Sequence, residues 1–142
     1  MPTSTAKATW NGVLRSGNGE YSAGSGAFKG EYSFPTRFED AAGTNPEELI
    51  AAAHASCLSM ALSAVLEKAG TPPESITTTA HCTLEVLDDG PKITTMKLEV
   101  LGKVPGIDEA AFAEAAEGAK GGCPVSKALM GNMEFVLEAK LA

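Results

Sequence analysis

Charge disappears from the chain between Glu48 and Glu67, apart from the one that His54 can carry. The interval reads LIAAAHASCLSMALSAVL, apolar or small on every side of a helix. Its borders are helix borders. Asn45 can cap it, Pro46 fits the first helical position, and Glu47 and Glu48 put negative charge on the positive end of the dipole. Asn45 and Glu48 have capping-box spacing, with Asn in place of the usual Ser or Thr. Lys68 falls in the last turn, Gly70 is a natural stop, and Pro72-Pro73 forbids continuation. The pattern predicts one long helix between Gly43 and Gly70.

A helix that is hydrophobic all round is either enclosed by protein or lies in a membrane. The Ser and His content, and flanks without Lys/Arg clusters, argue against a membrane span. The helix is therefore expected at the centre of the fold. One sheet of a short chain can cover one side of it, and a second copy of the same chain is the simplest cover for the other.

Period-two patterning and turn residues organise the rest. Ala6–Trp10 and Val13–Ser16 flank Asn11-Gly12, a hairpin signal. Short strands are expected in Tyr21–Phe34. Pro35 makes Phe34–Glu39 extended or loop-like. Ser75–Asp88 and Ile93–Val104 read as two long strands around Asp88-Asp89-Gly90, although alternation in the first is only partial. Asp108–Lys120 reads as a helix capped by Asp108 and ended by Gly121-Gly122. Cys123-Pro124 opens a short helix through Met130, and Asn132–Leu141 is a last strand. This order predicts a single α+β domain over residues 1–142, with a mostly antiparallel sheet.

The 142 residues carry a net charge of −7, which gives nucleic acid no electrostatic attraction. The first twelve residues, MPTSTAKATWNG, hold no apolar leader core. Three cysteines at wide spacing form neither a disulfide framework nor a zinc pattern. Reduced thiols in the cytoplasm are the expectation.

Cys57 lies mid-helix, where the dipole cannot activate it, so a thiolate there needs a separate cation. Cys123, between Gly122 and Pro124, stands at a helix start, where a thiolate is favoured. Cys82 lies within a strand and reads as structural. His54 is three residues before Cys57 and shares its helical face. His81 and Cys82 point to opposite sides of their strand and form no site. Arg37 lies in an apolar loop. Glu47 is ten residues before Cys57 (57 − 47 = 10), about 15 Å along the helix axis. A site containing both must join two chains.

Four motifs in this order resemble one known family. GTNPEELIAAAHASC at 43–57, TRFE at 36–39, GCPVS at 122–126 and VPGID at 104–108 look like the osmotically inducible protein C and organic hydroperoxide resistance family, the PEELIAAAHASC form being closer to the first branch. The resemblance implies a cytoplasmic thiol peroxidase built as an intertwined homodimer. In it Cys57 matches the peroxide-attacking cysteine and Cys123 the resolving one. Arg37 matches the cation that polarises thiolate and peroxide, and Glu47 the carboxylate that orients this Arg. Cys57 would become a sulfenic acid and condense with Cys123 to an intrachain disulfide. A small dithiol or a lipoyl-bearing protein would reduce it, with no metal, haem, flavin or nicotinamide. Phe38 and Met60 are apolar residues that would favour organic hydroperoxides over hydrogen peroxide. The residues alone leave two other readings: a Cys–His thiol hydrolase using Cys57 and His54, and a non-enzymatic stress or ligand-binding protein.

Overall fold

Strand β1 (Ala6–Asn11) pairs antiparallel with β2 (Asn18–Ala23), and β2 with β3 (Lys29–Tyr32). This is the first of two sheets in the computed structural model, which describes residues 1–142. Residues 1–49 form one compact unit and residues 50–142 another.

In the first unit, the hairpin starts where Asn11-Gly12 places it, but its link is longer than expected. Val13–Ser16 is a turn, not a strand, closed by Gly17 N–H donating to the Val13 carbonyl at 2.8 Å. Trp10 sits opposite Gly19, and its ring meets that of Tyr32 at 5.6 Å between centroids. Gly19 is required there, because a side chain would collide with both rings. Residues 34–38 are helix α1 (Phe34–Phe38), not the extended segment that Pro35 suggests. Pro is compatible with a first helical turn, where its missing N–H has no partner to lose. Ser33 and Thr36 close a capping box around it: Thr36 N–H donates to Ser33 Oγ at 3.3 Å and Ser33 N–H to Thr36 Oγ1 at 2.9 Å.

Helix α2 (Pro46–Lys68) begins and ends as the sequence dictates. Asn45 Oδ1 accepts from Glu48 N–H at 2.9 Å. At the other end Thr71 N–H donates to Leu66 O and Gly70 N–H to Glu67 O, with Gly70 at φ +84°. This is the Schellman termination, which places a left-handed residue just past the helix. By length and composition α2 could cross a membrane. Its His54, Leu58, Leu62 and Leu66, each four residues apart, are instead packed into protein.

The second sheet orders β4 (Ser75–Leu87), β5 (Gly90–Lys103) and β6 (Glu134–Leu141). Strands β4 and β5 are antiparallel, with a register shift at Thr83/Leu84. The shift leaves Thr94 of β5 as the extra residue of a bulge, while β4 keeps alternating through it. Strand β6 pairs with β5 in parallel. A parallel neighbour needs a crossover, supplied by α3 (Glu109–Gly122) and α4 (Pro124–Leu129). Asp108 caps α3 by accepting from Ala111 N–H at 2.8 Å. Gly121-Gly122 do not end α3; the helix runs through them to Cys123, which is extended at ψ 122°. The residue before a proline is pushed out of the helical region, so Pro124 rather than the glycines sets the break.

The core of this unit gathers Leu58, Leu62 and Leu66 of α2, Met96, Leu98 and Val100 of β5, and Phe112, Ala116 and Ala119 of α3. Gly102 continues the inward face of β5 directly against the Phe112 ring. Phe112 is fully buried and has nowhere to go. Gly102→Ala is therefore expected to cost about 1–3 kcal/mol by overpacking, read as a lower urea midpoint. An unchanged midpoint would mean that the ring can slide aside.

Candidate active site

Helix α2 presents Cys57 half-buried, next to the inward-facing Leu58, and the break between α3 and α4 presents Cys123 fully buried. Although 66 residues apart, their sulfurs are 2.9 Å from one another. That is hydrogen-bonding distance, and well outside the ~2.05 Å of a disulfide. At this distance the two sulfurs are hydrogen-bonded and their titrations are linked. Burial pushes the Cys57 thiol up, and the hydrogen bond to Cys123 pushes it further. Burial acts on Cys123 in the same direction, but is outweighed by the Cys57 thiol, the backbone N–H groups of Ser126 and Val125 and the Ser126 hydroxyl, so its pKa is lowered. The opposite directions of the two shifts favour the first negative charge on Cys123 over Cys57.

Buried His54 directs Nε2 to Ser126 Oγ at 2.7 Å and meets the Phe135 ring edge-on at 5.2 Å between centroids. Its Nδ1 has no partner. Burial lowers its pKa and holds it neutral. A Cys–His hydrolase needs the imidazole on the thiol; here the hydrogen bond of His54 goes to Ser126. Neither Ser126 nor Phe135 stood out in the sequence. Ser126 was detectable as the third residue after Cys123, the spacing at which a side chain reaches back to a helix cap.

Arg37 and Glu47 form a second pair, in the first unit. Helix α1 carries Arg37, the first turn of α2 carries Glu47, and Asn45 Nδ2 ties them by donating to Thr36 O at 2.9 Å. Arg37 donates from Nε at 3.0 Å and Nη2 at 2.7 Å, both to Glu47 Oε1. The Arg37 side chain is 36% exposed and that of Glu47 only 6%. The ion pair therefore holds a part-exposed Arg against a buried carboxylate. Glu47 Oε2 is buried without a partner. The four candidate residues thus fall into two close pairs, Cys57 with Cys123 and Arg37 with Glu47. His81 lies on the exposed face of β4, 3.1 Å from Glu99, and Cys82 on the opposite face packs against the core. No three of the chain's His, Cys, Asp and Glu side chains gather into a metal-binding group.

A family model described as OsmC-like protein matches residues 39–138, a span that includes Glu47, Cys57 and Cys123 and begins two residues after Arg37. The chain belongs to the OsmC-like family. It is 47% identical over 136 residues to Peroxiredoxin OsmC of Escherichia coli (strain K12), covering 95% of this chain and 94% of that one. It is 33% identical over 96 residues to Organic hydroperoxide resistance protein OhrA of Bacillus subtilis (strain 168), covering 67% and 66%. The crystal structure of OhrB of Bacillus subtilis superposes with a TM-score of 0.76 at 29% identity, over 96% of this chain and 98% of that one. The α+β architecture is accordingly that of the OsmC and organic hydroperoxide resistance proteins.

Proposed function

We propose that this OsmC-like chain is a thiol-dependent peroxidase that reduces organic hydroperoxides and hydrogen peroxide in defence against oxidative and osmotic stress. The carrying observation is the half-buried Cys57 sulfur 2.9 Å from the buried Cys123 sulfur. A peroxide reaches only the first of them, and a second thiol is already within reach when the first is oxidised. The relatives named peroxiredoxin and organic hydroperoxide resistance protein support the same reading.

In the proposed cycle the Cys57 thiolate attacks the distal peroxide oxygen and breaks the O–O bond. The alkoxide leaves and takes up a proton to become the alcohol, and Cys57 becomes a sulfenic acid. The Cys123 sulfur then attacks Cys57 Sγ, the hydroxyl leaves as water, and an intrachain disulfide remains. A dithiol, small or lipoyl-borne, returns both thiols. Sulfur carries all the electrons, so the cycle has no step for a cofactor. The test is peroxide consumption dependent on a dithiol, with cumene hydroperoxide and hydrogen peroxide side by side. A protein that consumes neither peroxide at any dithiol concentration would overturn the reading.

Residues 1–142 would act as a single domain within a cytoplasmic homodimer. Opposite the buried face of α2, the outward line Ala52, Ser56, Met60 and Ala64 is small or apolar, with Met60 74% exposed. No apolar side chain of residues 1–49 is fully buried in the single chain. Both surfaces suit a second copy. Because Glu47 and Cys57 lie about 15 Å apart along one helix, we assign the activating Arg37–Glu47 pair to the partner chain's site. Phe34 and Phe38 stack at 4.8 Å beside Arg37, giving that cation the apolar surround that would favour organic hydroperoxides. Sedimentation at micromolar concentration should give a dimer of the 14.6 kDa chain. A folded, stable monomer would remove this part of the proposal.

A further inference from the structure

Three fully buried side chains form a line behind Cys57. Cys123, Ser126 and His54 each have 0% exposure, and His54 Nε2 lies 2.7 Å from Ser126 Oγ. Ser126 is the third residue of α4, one helical turn from its N-cap Cys123, and its hydroxyl is among the groups that lower the Cys123 pKa. We propose that Ser126, oriented by His54, is a positioning residue that holds the negative charge of Cys123 when that sulfur is expelled from a Cys57–Cys123 disulfide. The inference rests on the two-cysteine cycle above.

The chemistry of reduction makes such a group necessary. An incoming thiolate reaches half-buried Cys57 and not buried Cys123. It bonds to Cys57 Sγ, the Sγ–Sγ bond breaks, and the electron pair leaves on Cys123. The second thiol of the reductant then displaces Cys57. The reductant is oxidised by two electrons to its own disulfide, and its two protons end on Cys57 and Cys123. The rate of the first displacement follows the stability of the departing thiolate. A sulfur with no exposed surface cannot be solvated by bulk water, so protein donors must take that place.

Ser126 has one proton to give. It can reach the sulfur only if His54 does not take it, which requires His54 to carry its hydrogen on Nε2 and donate to Ser126 Oγ. The unpartnered Nδ1 fits this tautomer. The other one would bury an unmatched N–H, which is rarer than an unmatched acceptor. His54 stays neutral throughout and acts by fixing the direction of the serine hydroxyl.

The experiment measures the rate at which dithiothreitol reduces the isolated disulfide form, in a Cys82→Ser background and without peroxide. Ser126→Ala should slow reduction about tenfold, as for the loss of one hydrogen bond to a charged group. Ser126→Thr keeps the hydroxyl and should restore most of the rate. His54→Leu should slow reduction about threefold, a smaller loss because the hydroxyl remains but is no longer directed. His54→Gln, with a nitrogen donor in the place of Nε2, should recover it. Unchanged rates in Ser126→Ala, or equal slowing in Ser126→Ala and Ser126→Thr, would overturn the inference. Should Ser126→Ala fail to fold, equal rates for His54→Leu and His54→Gln would do the same. If the parent protein forms no Cys57–Cys123 disulfide at any glutathione ratio, the two-cysteine cycle itself is wrong.

Discussion

Cys57→Ser is expected to lower dithiol-dependent peroxide reduction by at least about a thousandfold, as for removal of a nucleophile. Cys123→Ser should leave one oxidation possible and then stall. With one equivalent of peroxide, intact mass separates the cases. The unaltered chain should lose about 2 Da on forming the disulfide, and Cys123→Ser should gain about 16 Da as the sulfenic acid. Excess peroxide should drive Cys123→Ser on to the irreversible sulfinic acid. The asymmetry follows from burial: Cys57 is half-buried, whereas Cys123 has no exposed surface. A Cys123→Ser protein that turns over at the original rate and resists further oxidation would reduce Cys123 to a helix-break residue.

Arg37→Ala is the second large effect. In the single chain, burial and the Cys123 thiol both hold the proton on Cys57, so the sulfur that peroxide can reach is the unreactive partner. A cation beside it, the role proposed for the partner's Arg37, would reverse that preference, by about 1–3 pKa units for a close opposite charge. Removing it should raise the pH midpoint of Cys57 alkylation by a similar amount and slow oxidation at neutral pH about 10- to 100-fold. Raising a thiol pKa depletes thiolate at pH 7, so the deficit should shrink as the pH rises. Arg37→Lys should rescue only part of the rate, because an ammonium lacks the fork that donates from Nε and Nη2 to Glu47 Oε1. The measurement belongs in a Cys82→Ser, Cys123→Ser background, where Cys57 is the only thiol. A profile untouched by Arg37→Ala would take Arg37 out of the mechanism.

Local signals carried most of the reading from sequence. The ends of α2 were legible because each is set by adjacent residues, Asn45 with Glu48 at one end and Gly70 at the other. Pro35 alone hides helix α1, while Ser33 and Thr36 close a box around it with Thr in place of the usual Glu or Gln. At the end of α3 the signals run the other way: Gly121 and Gly122 weaken a helix, but Pro124 stops it. Division into two sheets, and the parallel direction of β6, depend on pairings between distant segments that no local pattern encodes. The motif resemblance names Cys57, Cys123, Arg37 and Glu47 as candidates. The approach of Cys57 and Cys123 to 2.9 Å is tertiary. So is the burial of His54 against Ser126, and a lone serine carries no periodic signal to announce it.

The 66-residue interval between the paired sulfurs also has a meaning in time. At about 5–20 residues per second, a ribosome needs roughly 3–13 s to pass from Cys57 to Cys123. During that interval Cys57 has been made and no resolving thiol exists. In the unfinished chain it behaves as an ordinary thiol, largely protonated at neutral pH. In the proposed dimer, activation and resolution would thus arrive together, after β6 has closed the crossover. A cell under peroxide stress can make this protein without destroying the nascent cysteine on which it depends.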